Sequence, residues 1–550
     1  PLPVAPVEPA QVEAGGIARA ATLIAIGNLA SRVLGLMRET VKANLFGSTG
    51  MVSALGAAII IPTSVYNLVI GGVISSALVP VFSEYTPKGR RDDLWYLVSS
   101  LMTLVIVILS VLVLVAELAA TWVIKLPSGG LEARFIQTGA QMLRMSMPAV
   151  LFMTLSGILT GVLYALKRFT LPAFTAVAVN VCIVGAALLF GRRWGVMSVA
   201  VGFLAGSVAQ FLLQLPGLRD AHLRPVFNWR HPGLRRIARL YVPLMLSLVT
   251  GEVAAILSFN LASHTGEEGL AWMQYAAQLI QLPLGLVATA ISFAILPTLS
   301  QQAQAFLKRK VGPGAAQDDA GTAAPRNEPF LGTLAQGLKL VLILIVPATV
   351  GLFVLARPVV ELILGHGVFT ANDTLHTAEA LRFHLLGLIF AAVDWPLNFA
   401  FYAHQDTLTP ALVGLMAVGV YIVAALGPTL FRPLTLNGLI LANSIQWMSH
   451  ALIMLWLLNR RIGGLHGHGM LRLLAKTVCA SVIMGGVTYL VNEILGRSLS
   501  SDSLVTEIVT VGGAAAIGFF VYVALMALMR ADSGPWLRGL LGKRRPSLTS

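Results

Sequence analysis

Residues Ser31 to Tyr85 begin SRVLGLMRETVKANLFG (31–47) and end ALVPVFSEY (77–85), and the 41 residues from Ala43 to Ser83 hold no Asp, Glu, Lys or Arg. An uncharged run of that length, bounded by short charged clusters, is the signature of lipid-spanning helices. The helix that precedes it nevertheless carries Arg32, Arg38, Glu39 and Lys42. A charge near the bilayer centre costs from about 3 to more than 10 kcal/mol, so these four must face protein or water. At about 100° per residue they fall within an arc of roughly 120°, one flank of the helix. The opposite flank, Ile26, Ala30, Val33 and Met37, is free to meet lipid. Such a helix is expected to offer positive charge to an anionic cargo inside a transporter.

The rest of the chain fits that setting. Of its 550 residues 56% are hydrophobic and only 11% charged, with a mean hydropathy of +0.80, against roughly 25% charged in soluble domains. Fourteen apolar runs are long enough to cross about 30 Å of hydrocarbon, which predicts an all-α polytopic membrane protein. The net charge of +14 sits in short clusters between apolar runs, as topology requires, so nucleic-acid binding is excluded. Lys and Arg concentrate in the loops that share a side with the N-terminus, which predicts cytoplasmic termini. The loop Gly191-Arg192-Arg193 is the exception.

The expected organisation has six parts. Residues 1–16 form a Pro-rich disordered tail, 17–216 a first six-helix lobe, and 217–236 a basic, aromatic loop suited to anionic headgroups. A second lobe at 237–458 contains a Gly/Ala/Pro-rich linker at 308–329. Residues 459–530 supply two further helices, and 531–550 a basic tail. The two lobes are parallel repeats. Leu143-Arg144, Tyr164-Ala165 and Pro172-Ala173 recur 238 positions later as Leu381-Arg382, Tyr402-Ala403 and Pro410-Ala411. Two such bundles are what alternating access needs.

Several side chains qualify for chemistry. Guanidinium groups at Arg32 and Arg38 present forked donors suited to phosphate or diphosphate; Lys42 and Arg144 are further cations for cargo, although for Lys42 snorkelling to the headgroups is the preferred reading and Arg144 could as well tie helices together. Glu252, matched to Arg32 by an offset of 220, Glu39 and Asp394 are the acids at membrane depth, candidates for a coupling site for Na+ or H+ or for a gate. Pro62 and Pro283 fall at matching places in the second and eighth helices and are expected as hinges, whereas Gly56, Gly71 and Gly72 read as a close-packing face. No P-loop, HExxH motif or nucleophile elbow occurs, so the chain is read as a non-enzyme. Cys182 and Cys479 lie in apolar runs, away from any metal spacing.

Ser31-Arg32-Val33-Leu34-Gly35, Arg38-Glu39, Phe46-Gly47, Pro62 and Val79-Pro80-Val81-Phe82-Ser83-Glu84-Tyr85 together resemble the N-terminal signature of the MurJ (MviN) family. These are lipid II flippases of the multidrug/oligosaccharidyl-lipid/polysaccharide exporter superfamily. The resemblance implies two six-helix lobes plus two C-terminal helices in a bacterial inner membrane, and a role for Arg32 and Arg38 in handling a lipid-linked diphosphate from peptidoglycan synthesis. It also implies cell-wall synthesis proteins as partners. The chain departs from the family where an acid and an arginine pair are expected in the second helix, at Ser53 and Tyr66-Asn67, and where Tyr275 to Pro283 lacks an Asp-Arg pair. Two other readings stand beside it. One is a cation-coupled exporter of amphipathic drugs with Glu252 as its acid; the other is a diverged, non-transporting partner of envelope synthesis.

Overall fold

The structure, a computed structural model, describes residues 10–87, 90–226, 228–311, 328–465, 467–499 and 503–529. The described chain is helical throughout, and its long helices follow one another as α1 Ala10–Phe46, α2 Gly50–Ile70 with its continuation Val79–Glu84, α3 Arg91–Leu118, α4 Ala133–Ala165, α5 Thr175–Trp194, α6 Met197–Leu218 and α7 Pro232–Ser263. Then come α8 Gly269–Pro283 with its continuation Ala290–Val311, α9 Glu328–Val354, α10 Ala371–Ala403, α11 Leu408–Leu426, α12 Leu436–Arg461, α13 Met470–Ser498 and α14 Leu504–Leu528. Twelve are long and apolar enough to cross a membrane by composition alone. Among the described residues the two that fall short are α1 and α7, the first helices of the two expected repeats.

Packing divides the chain into two units, Pro1–Gln274 with Gly367–Phe369, and Tyr275–His366 with Thr370–Ser550. This boundary falls one helix later than the repeat boundary at 217–236, because the hydrogen bonds of α7 run to the first unit. The Tyr241 hydroxyl donates to the Leu68 carbonyl of α2. Asn260 Nδ2 donates to the Leu126 carbonyl at 2.8 Å, and the Gly130 amide donates to Ser263 Oγ at 2.9 Å.

Several local expectations change. Helix α1 starts at Ala10, inside the stretch expected as a tail; residues 1–9 lie outside the described residues. Of the expected linker, 312–327 lies outside them too, as does 531–550. Gly191, Arg192 and Arg193 form no loop. They close the last turn of α5, where cations complement the helix dipole.

The break in α2 is not at Pro62, through which the helix runs on, but at Gly71-Gly72, followed by a wide π turn at Ile74–Leu78. Gly72 has φ +72°, and a Cβ there would meet nothing within 4 Å. It serves backbone freedom, not the close packing expected of it. In α8 the break does begin at Pro283, with a π turn at Leu284–Thr289. Such turns mark discontinuities inside helices.

Candidate functional site

The charged flank of α1 is set by its packing on α5. Gly27 lets the α1 backbone approach the short Thr170–Ala173 helix that precedes α5, where a Cβ would strike the Ala173 carbonyl. Two turns along, Asn180 of α5 clamps the pair of helices, its Nδ2 donating to the Ser31 carbonyl at 3.2 Å and its Oδ1 accepting from Arg38 Nη1 at 3.2 Å. The predicted faces hold. Ile26, Val33 and Met37 are about half exposed, while Glu39 and Lys42 are buried and Arg32 and Arg38 are partly so.

Glu39 organises the group. Its carboxylate takes Arg38 Nη2 at 2.9 Å through one oxygen and pairs with Lys42 Nζ through the other. Lys42 is therefore no snorkelling lysine; its side chain is only 8% exposed, and its charge is matched by Glu39. The Arg38 side chain stays 30% exposed, one face on Glu39 and Asn180 and the other open. Three cations against one carboxylate leave two net positive charges on this flank, which favours an anion.

The other predicted residues lie elsewhere in the two units. Glu252 of α7 is half-buried and accepts from Asn67 Nδ2 of α2 at 3.0 Å. Ser53, at the site of the missing acid, is fully buried and ties α2 to the loop before α8, donating to the Glu267 carbonyl at 2.6 Å. Arg144 is exposed and donates Nε to the Glu117 carbonyl at the end of α3, at 3.2 Å. Its repeat counterpart Arg382 does the same to the Phe353 carbonyl at the end of α9, at 3.4 Å. Both arginines cap a helix C-terminus, and Arg144 makes no hydrogen bond to the α1 group among the described residues. Asp394 of α10 bonds His450 of α12 at 2.6 Å.

Sequence reading missed Asn180 and His450, and noted Asn67 only as the place of an expected arginine. The available signal was weak: Asn180 is a lone amide in an apolar run, Asn67 and His450 sit among other small polar residues, and each partner lies far away in the chain. Among the described residues no group of three or more His, Cys, Asp or Glu side chains could hold a metal ion.

A chain of this build, multi-pass, all-helical and charged on the first helix of a duplicated bundle, is of the transporter class. Residues 42–510 match the family described as "MurJ: Lipid II flippase MurJ", and the chain belongs to that family. It is 30% identical over 472 residues to the lipid II flippase MurJ of Burkholderia cenocepacia, covering 84% of this chain and 87% of that protein. It is 28% identical over 485 residues to the probable lipid II flippase MurJ of Haemophilus influenzae, covering 85% and 91%. The fold matches a lipid II flippase MurJ solved in an inward closed conformation, with TM-score 0.75 and 22% identity over 94% of this chain and 100% of that one. A multidrug transporter of the MATE family shares the fold at TM-score 0.65 and 15% identity, over 79% of this chain and 95% of that one. These matches make the chain a multi-pass protein of the bacterial inner membrane.

Proposed function

We propose that the chain moves lipid II, a polyprenyl-diphosphate-linked peptidoglycan precursor, from the cytoplasmic to the outer leaflet by alternating access, with both of its own termini in the cytoplasm. The observation that carries this reading is the α1 flank: two partly exposed guanidinium groups and a buried lysine against one carboxylate. Arg38 is held by Glu39 through Nε and Nη2 and by Asn180 through Nη1, and the second N–H of each Nη forms the end of the fork that would meet a diphosphate. The same charge repels amphipathic cations and disfavours the drug-exporter reading.

Glu252 and Asn67 fasten α7 to α2 by a hydrogen bond close to the discontinuity of α2, which suits a contact that breaks and remakes as the chain changes state. Arg144 acts in this reading as a helix cap, not on the cargo. Cell-wall synthesis proteins are the expected neighbours that supply and take up the lipid. The test is rescue of a bacterium depleted of its own lipid II flippase. The wild-type chain is expected to restore growth and Arg38→Ala to lose most of the rescue at equal membrane abundance. Full rescue by Arg38→Ala would refute the assignment of α1.

A further inference from the structure

Within the second unit, α10 and α12 meet along a polar seam inside an otherwise apolar bundle. A capping box at Thr370 and Asp373 fixes the start of α10. Further along, Glu379 accepts from Asn437 Nδ2 of α12 at 3.3 Å, with His376 at 3.7 Å. Next, His384 is 5% exposed, neither ring nitrogen has a hydrogen-bond partner among the described residues, and its ring stacks on Trp447 at 6.2 Å. Trp447 in turn lines a cavity of about 150 Å³ together with Asp394, Gln446, His450, Gly414 and Ala417. Asp394 Oδ1 bonds His450 Nδ1 at 2.6 Å and Oδ2 accepts from Asn398 Nδ2 at 2.7 Å. From Glu379 to Asp394 the seam runs about 22 Å along the helix axis.

The geometry points to the Asp394–His450 pair as a proton-binding site that couples proton movement to transport, a reading that rests on the flippase function proposed above. With one proton between them the two side chains are neutral overall, the form that costs least at membrane depth. Losing that proton leaves a net negative charge and gaining one leaves a net positive charge. Either change is tolerable only while water reaches the site. The cavity has room for water beside the polar groups of Asp394, Gln446 and His450, and the Asp394 and His450 side chains are 22% and 15% exposed. Proton exchange is thereby tied to the hydrated state, and a sealed state traps the neutral pair.

The surrounding groups fit a proton better than Na+. The imidazole occupies the carboxylate edge a metal ion would need, and its Nε2 faces α11 near Gly414, toward the Pro410 carbonyl. Hard cations require a shell of oxygens, whereas here an imidazole nitrogen and an amide nitrogen fill the two carboxylate oxygens, an arrangement that holds a proton and not a metal ion. The cavity walls come from α10, α11 and α12. Of the other titratable groups on these helices, Tyr402 of α10 lies near enough to feel the charge on Asp394, and the buried Tyr421 lies one turn beyond Ala417 on α11. His384, behind Trp447, is the next titratable group toward the Glu379 end.

Trp447 supplies the readout, because a protonated imidazole quenches a neighbouring indole. The full chain in lipid nanodiscs is titrated from about pH 5 to about pH 9, with the emission of Trp447→Phe subtracted. The Trp447 emission is expected to change roughly twofold with the slope of one proton, and in His450→Gln and Asp394→Asn to lose that transition or shift it by about one pH unit or more. His450→Gln keeps a hydrogen bond to Asp394, so it carries the test should Asp394→Asn fail to fold. A transition that persists unshifted in His450→Gln overturns the site.

In proteoliposomes with fluorescent lipid II, a pH gradient is expected to change the wild-type rate by roughly threefold or more and the His450→Gln rate hardly at all. Replacing Na+ with a large organic cation should leave the wild type unchanged. Equal gradient dependence in both proteins, or loss of movement without Na+, overturns proton coupling. A Trp447 transition that needs His450, found without lipid II movement at any pH, supports proton binding and instead overturns the cargo.

Discussion

At the scale of single residues, Glu39 does more than its lone negative charge suggests. It neutralises Lys42 in a buried setting and holds Arg38 by the inner edge of its guanidinium. Glu39→Gln keeps the shape but strips Lys42 of its carboxylate. Removing one partner of a buried pair typically costs about 3–5 kcal/mol, so the thermal midpoint of the purified protein should fall well below that of Lys42→Met with Glu39 intact, whose carboxylate still has Arg38.

A second acid acts at the loops. Asp220 joins Arg168 at 2.7 Å and Arg91 at 3.2 Å, tying together the ends of α3, α4 and α6. The hydrogen bond from Arg168, aided by the charges of Arg168 and Arg91, holds its carboxyl below the ordinary value of 3.8. A depressed acid contributes stability above the unfolded-state pKa and loses it as pH falls through the folded one. Wild type should therefore lose more thermal stability than Asp220→Asn between neutral pH and about pH 3, by a modest amount because the pair is partly solvated. Equal acid sensitivity would remove Asp220 from that role.

The α1 charges and their face were legible because helical periodicity is local. Asn180, 142 positions from Arg38, was not, since a single amide in an apolar run carries no trace of its partner.

At the scale of elements, the discontinuity in α2 separates two meanings of glycine. Gly72→Ala puts a side chain at φ +72°, at a cost of about 1–2 kcal/mol although open space surrounds it. Gly419, inside α11, also has room for a methyl group, with nothing within 4 Å of where its Cβ would sit, and there alanine should stabilise by up to about 1 kcal/mol through helix propensity. Unfolding midpoints of the two variants should move in opposite directions. A stabilised Gly72→Ala would mean that the break is not imposed by backbone conformation.

Proline and the helix break coincide in one helix and not in the other. Pro62 sits inside a continuous helix, whereas Pro283 opens the π turn of α8. Proline marks a lost donor, but the bend appears where neighbouring residues tolerate unusual dihedrals. The repeat itself survives in detail, since Arg144 and Arg382 cap equivalent helix ends.

At the scale of the molecule, helix number and helical class were readable, because length and hydropathy are properties of the chain alone. The allegiance of α7 was not: its hydrogen bonds to Leu68, Leu126 and Asn67 place it with the helices before it, while its ancestry pairs it with α1. An even number of crossings puts both termini on one side, and the basic loops predict the cytoplasm. Reporter fusions at the C-terminus should be active as cytoplasmic and inactive as exported proteins; the reverse would invert the transport direction assigned to each face.

The account depends most on the cations of α1 gripping a diphosphate. The direct measurement is the rate at which fluorescent lipid II becomes accessible across proteoliposomes containing the purified chain. The prediction is a loss of roughly 10- to 100-fold in Arg38→Ala, matching one charge-assisted hydrogen bond of about 1.5–3 kcal/mol, with Arg38→Lys between it and the wild type. Movement at the wild-type rate in a folded Arg32→Ala, Arg38→Ala double variant would contradict the account.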